Sequence, residues 1–167
     1  MTKKITVSLS ILAIITGFIM GVFFDNSFGV SKLIEKRGFW ENFIEIFYHN
    51  LLISFVIIIS GFTIYFLSSI LVFSNFLVFG ESIYFACQKY GLLKGITLYI
   101  HGIFEIPAII LSLYISYEIS YSIIKKIKNE NFPLFNYLKS FKKEILALIV
   151  LFLIGALVES FLLNIAL

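Results

Sequence analysis

The chain has 167 residues, of which 60% are hydrophobic and only 14% are charged, and its mean hydropathy is +1.01. This composition excludes an ordinary soluble domain, in which charged residues make up about a quarter of the chain, and it predicts an integral membrane protein. The formal net charge of +3 is less informative than the positions of the charged residues along the chain. The single cysteine, Cys87, excludes an intramolecular disulfide and a thiol-rich metal site.

Five apolar stretches approach or reach the length of about 20 residues that a helix needs to cross a bilayer. They are residues 5–24, 50–68, 70–88, 105–124 and 145–166. The second and third come from one run, 50–88, whose only charged residue is Glu81; as one helix it would be about twice as long as a bilayer is thick, so we expect a turn near Ser68 and Ser69. The sequence therefore predicts an all-α, single-domain helical bundle with about five transmembrane helices and short interfacial helices.

The segments between these stretches carry interfacial patterns. Phe39, Trp40, Phe43, Ile46 and Phe47 recur at helical spacing, which predicts a short amphipathic helix at headgroup depth before the second span. Residues 95–102 are expected to form a short interfacial or re-entrant piece, with Pro107 in the first turn of the following span. The basic connector 125–144 is expected to lie on the membrane surface.

The basic residues are distributed unevenly between the two sides that five spans imply. If the N-terminus is cytoplasmic, eight lie inside and five outside; the inner ones are Lys3, Lys4, Lys125, Lys126, Lys128, Lys139, Lys142 and Lys143, and the outer ones are Lys32, Lys36, Arg37, Lys89 and Lys94. The excess of Lys and Arg on the cytoplasmic side of membrane proteins favours this orientation.

His101 and Glu105 stand four residues apart within a mostly lipid-soluble chain. A charged side chain at the bilayer centre costs about 2.5 to 3.5 kcal/mol on insertion scales, so both residues need polar partners or water. By helix rise, Glu159 of the last span falls near the depth of Glu105, and His49 and Asn50 open the second span on the same side. We therefore hypothesise one outward-facing polar pocket formed by these five residues. The alternative is structural: His101 and Glu105 form a hydrogen-bonded pair that fixes the fourth span.

The sequence also excludes several classes of enzyme. Asp25 is the only aspartate, so an intramembrane aspartyl protease lacks its second carboxylate. The motifs HExxH, GxSxG, Walker A and GxGxxG are absent. We therefore expect no enzyme, no catalytic residue, no metal and no cofactor, and the aromatic residues do not indicate nucleic-acid binding. A membrane-embedded hydrolase with a metal or acid/base site at His49, His101, Glu105 and Glu159 is left as the third hypothesis.

Two segments and several spaced residues carry a family resemblance. The segments are FIEIFYHNLL (43–52) and HGIFEIPAI (101–109), and the spaced residues are Gly61, Asn75 and Gly80. In the second segment a histidine-glycine pair, His101 and Gly102, precedes Glu105 and Pro107. With this pattern the chain resembles the stage II sporulation protein M family of bacterial membrane proteins over roughly residues 5–165. The family's usual Asn-Gly pair is Asn75-Phe76 here, and no proline precedes His101.

The resemblance implies a non-enzymatic protein with several spans in the bacterial plasma membrane. Some members organise cell-wall hydrolases during sporulation, and short relatives occur in circular-bacteriocin gene clusters, where they are associated with maturation, export or self-protection. We expect an assembly, maturation or export partner, in contact with the lipid bilayer and with other membrane proteins or a peptide substrate, and self-association is a further option. The alternative is a bacteriocin immunity protein or a small transporter coupled to protons or cations, whose buried carboxylates would meet a cationic ligand.

Overall fold

A computed structural model describes residues 2–23, 38–128 and 133–166, and in these ranges the chain is helical apart from short turns. Seven α-helices and one short 3-10 helix, Ser60–Thr63, follow one another, and no strand occurs among the described residues. The α-helices are α1 (Thr2–Phe23), α2 (Phe39–Ile59), α3 (Phe66–Tyr90), α4 (Leu92–Leu98), α5 (Gly102–Lys128), α6 (Leu134–Lys139) and α7 (Lys142–Ala166). The predicted all-α class is confirmed.

Among the described residues, four helical stretches are long and apolar enough to cross a membrane: Phe39–Thr63, Phe66–Tyr90, Gly102–Lys128 and Tyr137–Ile165. They correspond to the predicted second to fifth spans. The predicted first span, 5–24, coincides with α1 from residue 5 to residue 23. The protein is therefore a helical membrane protein, and the count of five spans stays a prediction.

Two boundaries differ from the sequence-based expectation. The separate interfacial helix predicted around Trp40 is the first part of α2, because no glycine or proline interrupts the segment from Phe39 to Ile59. The turn predicted at Ser68 and Ser69 lies earlier, at Ile64 and Tyr65, which adopt φ values of 53° and 67°. Both serines instead donate to the Tyr65 carbonyl from the first turn of α3, so their hydroxyls support the start of that helix.

The segment before α5 also differs in detail. The short helix α4 covers Leu92–Leu98, so it begins three residues before the predicted piece 95–102 and ends within it. A turn at residues 99–101 then leads directly into α5 at Gly102. Because α5 begins earlier than predicted, Pro107 lies inside the helix and not in its first turn. Proline has no N–H, so the carbonyl of Ile103 loses its regular helical donor.

Helix α5 lies at the centre of the bundle, packed against α2 and α7, while α3 packs mainly against α1 and α4. The main apolar core joins α2, α3, α5 and α7; its buried members are Ile57, Val72, Phe76, Ala108, Ile109, Leu113, Leu148 and Phe152. Many other large apolar side chains point outward, as expected for helices surrounded by lipid.

Glycines set the contact between α1 and α3. The pair Gly17 and Gly21 forms a GxxxG pattern, which predicts a close helix contact within the chain. A Cβ atom at Gly17 would overlap the backbone carbonyl of Leu77, and one at Gly80 would overlap the carbonyl of Ile14. The two backbones therefore touch directly, and the expected packing within the chain is confirmed. This contact also explains the family residue Gly80.

The contacts between helices fix their directions. Helices α2 and α5 run parallel, because Asn50 contacts Glu105 and Ser54 contacts Ser112, whereas α7 runs antiparallel to α5. The turn at residues 60–65, the end of α5 and the start of α7 therefore lie at one end of the bundle, and the start of α5 lies at the other. We infer from the basic residues that the first end faces the cytoplasm.

This orientation can be tested by labelling in a Cys87→Ser background. Tyr90→Cys at the end of α3 should react with a membrane-impermeant maleimide on intact cells, because the inferred orientation places that end outside. Ser140→Cys, exposed at the opposite end, should react only after permeabilisation. The reverse labelling pattern would overturn the inferred orientation.

Candidate functional site

A polar cavity of about 490 Å³ opens at the end of the bundle where α5 begins. Its walls come from α2, α3, α5, α7 and the turn before α5. The structure places all five residues of the hypothesised pocket in its lining: His49, Asn50, His101, Glu105 and Glu159. The family residue Asn75 lines it as well. Glu81, a buried acidic residue of α3, is not among the described residues that line it.

His101 is the last residue before α5 and is 5% exposed. Its Nδ1 lies 2.9 Å from the carbonyl oxygen of Leu98. Since a carbonyl can only accept a hydrogen bond, Nδ1 must carry a proton and donate it. The ring is also flanked by Phe79 and Tyr99. These contacts hold the imidazole so that Nε2 faces the two acidic side chains.

Glu105 lies one turn further along α5 and is 8% exposed. Asn50 of α2 donates from Nδ2 to Glu105 Oε1 over 2.6 Å. The opposite side of the carboxylate rests on α7, where Gly155 makes room: a Cβ at Gly155 would come within 2.9 Å of Glu105 Cγ. With Oε1 held by Asn50, Oε2 faces His101 Nε2 at 3.8 Å.

Glu159 joins the other two residues from α7. Its Oε2 lies 3.7 Å from His101 Nε2, and its side chain is 24% exposed, against 11% for Glu105. Of His101, Glu105 and Glu159, Glu159 is therefore the residue most accessible from the open part of the cavity.

The three side chains form a compact group, the His–Glu–Glu cluster (His101, Glu105 and Glu159). One ligand atom from each residue can be chosen so that all three lie within 4.8 Å of one another. The structural alternative, a direct hydrogen bond between His101 and Glu105, does not fit, because 3.8 Å exceeds hydrogen-bond length and Glu105 bonds Asn50 instead. One imidazole nitrogen and two carboxylates suit a cation or a transferable proton.

The remaining sequence-predicted residues have separate positions. His49 is exposed and lines the cavity, but it is not part of the cluster. Gly102 lies beneath Phe79, where a Cβ would approach the ring to 2.6 Å. Pro107 is exposed on α5. The motif residues Gly102 and Pro107 thus shape the start of α5 and are not themselves part of the cluster.

Sequence reasoning missed a row of hydrogen-bonded polar groups between α2 and α5, which we call the polar seam. Below the Asn50–Glu105 bond, the hydroxyls of Ser54 and Ser112 are hydrogen-bonded, and Ser120 donates to the Gly61 carbonyl over 2.6 Å. On α5, Ser112 and Ser120 are fully buried. Small residues four apart, here Ser112, Ser116 and Ser120, indicate a helix contact in membranes and could have revealed the seam.

Sequence reasoning also missed one residue beside the cluster and one in the cavity wall. Gly155 gives Glu105 its space on α7, and Glu45 joins the lining of the cavity. A glycine within the long apolar run 145–158 was the available signal for the close approach of another helix.

Comparison with known proteins identifies one family model. The model described as stage II sporulation protein M matches residues 6–162, nearly the whole chain. No curated protein and no solved structure matches.

A double-mutant cycle tests the bond between Asn50 and Glu105. Asn50→Leu should lower the free energy of unfolding by about 1–3 kcal/mol, because it leaves a buried carboxylate without its donor. The double variant Asn50→Leu/Glu105→Leu should recover part of this loss, since no buried polar group is then left unpaired. Unfolding of purified protein in detergent measures both values. Additive losses would show that the two side chains do not interact directly.

Proposed function

Because the chain belongs to the stage II sporulation protein M family, we propose that it is a non-enzymatic partner in the assembly, maturation or export of another membrane component. Family membership supports a membrane protein similar to stage II sporulation protein M. The proposed role as an assembly, maturation or export partner is argued from the shape of the bundle. The observation that carries it is a cleft between α2 and α3.

The cleft follows from the way α3 packs. After the turn at residues 60–65, α3 leans on α1 and α4 and contacts α2 comparatively little. This leaves a groove of about 340 Å³ between α2 and α3, lined mostly by apolar side chains such as Leu52, Val56 and Leu71. Its lining shares Ile53, Asn75 and Val78 with the polar cavity. The groove and the polar cavity are therefore neighbouring parts of one opening.

The proposed occupant is an apolar transmembrane segment of the partner. Its apolar side chains would pack against the groove at bilayer depth, as helices associate in membranes by close packing. Polar groups at the end of the segment would reach the cavity lined by Asn50 and Asn75, where water and polar side chains can solvate them. In a sporulating cell the partner would belong to the cell-wall remodelling machinery; beside a circular-bacteriocin gene it would be the precursor or its exporter.

The His–Glu–Glu cluster favours a second candidate, in which the protein handles protons or cations, either as a small coupled transporter or in self-protection against a cationic peptide. Ionisable residues within membrane-spanning helices commonly mark such pathways. The two candidates differ in what Glu105→Gln should do. Under the second, this variant keeps its assembly with other proteins and loses its function.

The cleft can be tested by filling it. Val56→Trp should abolish co-purification with the membrane proteins encoded beside this gene, because the indole would occupy the groove. Val150→Trp on α7 is the matched control, since Val150 and Val56 are similarly exposed, at 47% and 45%. Both variants should elute as folded protein in size-exclusion chromatography. Retention of the partner by Val56→Trp, or an equal loss with Val150→Trp, would contradict docking in the cleft.

A further inference from the structure

We propose that His101, Glu105 and Glu159 bind one divalent transition-metal ion at the inner wall of the polar cavity. The site goes beyond the proposed function, because it does not depend on which partner occupies the cleft. It also revises the expectation from sequence that the chain has no metal site.

Two of the three pairs of donor atoms are spaced nearly as a metal site requires, and all three donor atoms can be chosen within 4.8 Å of one another. His101 Nε2 lies 3.8 Å from Glu105 Oε2 and 3.7 Å from Glu159 Oε2. Ligands at about 2.0–2.2 Å from a four-coordinate zinc ion are roughly 3.4 Å apart. A contraction of a few tenths of an ångström would bring these pairs to that spacing. The cavity side leaves a fourth position for water or a ligand.

The groups behind the donor atoms are those of a metal site. A metal-binding histidine usually donates its other ring N–H to a carbonyl or carboxylate, and a metal-binding carboxylate is itself hydrogen-bonded. Here His101 Nδ1 donates to the Leu98 carbonyl, and Asn50 donates to Glu105 Oε1. Because these hydrogen bonds occupy His101 Nδ1 and Glu105 Oε1, the atoms that remain available to a metal ion are His101 Nε2 and Glu105 Oε2.

Charge supplies an independent argument. With both carboxylates ionised and the imidazole neutral, the cluster would carry a charge of −2 in a site where His101 and Glu105 are almost completely buried. Buried charges of one sign are costly unless they are paired or coordinate a metal. A divalent cation bound by all three residues would neutralise this charge, as protonation of the carboxylates would in its absence.

The donor set also limits which metal is suitable. One imidazole with two carboxylates suits zinc, manganese or iron, while magnesium and calcium prefer all-oxygen sites. No thiolate takes part, since the only cysteine, Cys87, is not a member of the cluster. An ion can reach the site through the cavity, where Glu159 is the most exposed of the three ligands.

The test uses the full-length protein, purified in detergent, stripped with a chelator and titrated with zinc against a chromophoric chelator. We expect one zinc ion per chain, displaced by neither magnesium nor calcium. Glu159→Gln and His101→Gln should each weaken zinc binding at least tenfold. The control is His49→Gln, which changes an exposed histidine of the same cavity and should leave the affinity unchanged.

A second measurement guards against variants that fold poorly. Cobalt substitution of the wild-type protein should give the visible absorption of a nitrogen- and oxygen-ligated ion, and equimolar zinc should remove it. The proposal is overturned if the wild-type protein binds no stoichiometric zinc, or if Glu159→Gln, folded by size-exclusion chromatography, binds zinc as tightly as His49→Gln. Partner co-purification by metal-stripped wild-type protein reports on the proposed function separately.

Discussion

The bundle depends on the hydrogen bonds that join the central helix α5 to α2. In a bilayer, lipid offers no partners to buried polar groups, so such groups must find them inside the protein. Helix α5 does this at three levels: Glu105 bonds Asn50, Ser112 bonds Ser54, and Ser120 bonds the Gly61 carbonyl. Each contact contributes little by itself, on average about 0.6 kcal/mol for a hydrogen bond between membrane helices. Together they favour this register of the two helices, because a slip of one residue would break all three contacts between them.

The position of the His–Glu–Glu cluster follows from this register and from the contact between α5 and α7. The bond to Asn50 sets which oxygen of Glu105 is free, and Gly155 lets α7 approach closely enough for Glu159 to reach His101. At the opposite end of α2, the left-handed turn at Ile64 and Tyr65 sends α3 toward α1. The same geometry therefore creates both the buried polar cluster and the open groove beside it.

Much of the site could be anticipated from the sequence, because helix rise alone places residues of different spans at comparable depths. For this reason the sequence could predict one cavity shared by five residues from different parts of the chain: His49, Asn50, His101, Glu105 and Glu159. The specific partners could not be anticipated, because depth says nothing about which face of a helix a residue occupies. The Asn50–Glu105 bond and the role of Gly155 depend on helix rotation. The turn between α2 and α3 was misplaced because the run from residue 50 to 88 has no proline, and its serines suit a helix start as well as a turn.

The His–Glu–Glu cluster depends on the apposition of α5 and α7 at Gly155, and a disulfide tests this apposition most directly. A Cβ built at Gly155 lies 3.6 Å from Phe104 Cβ, within the range of about 3.5–4.5 Å found in disulfides. In a Cys87→Ser background, Phe104→Cys/Gly155→Cys should therefore form an intramolecular disulfide under mild oxidation in membranes, detected as a mobility shift that reduction reverses. Phe104→Cys/Leu157→Cys should form none, because Leu157 lies on an outward-facing part of α7. A disulfide in the second pair and not in the first would contradict the helix register on which the cluster depends.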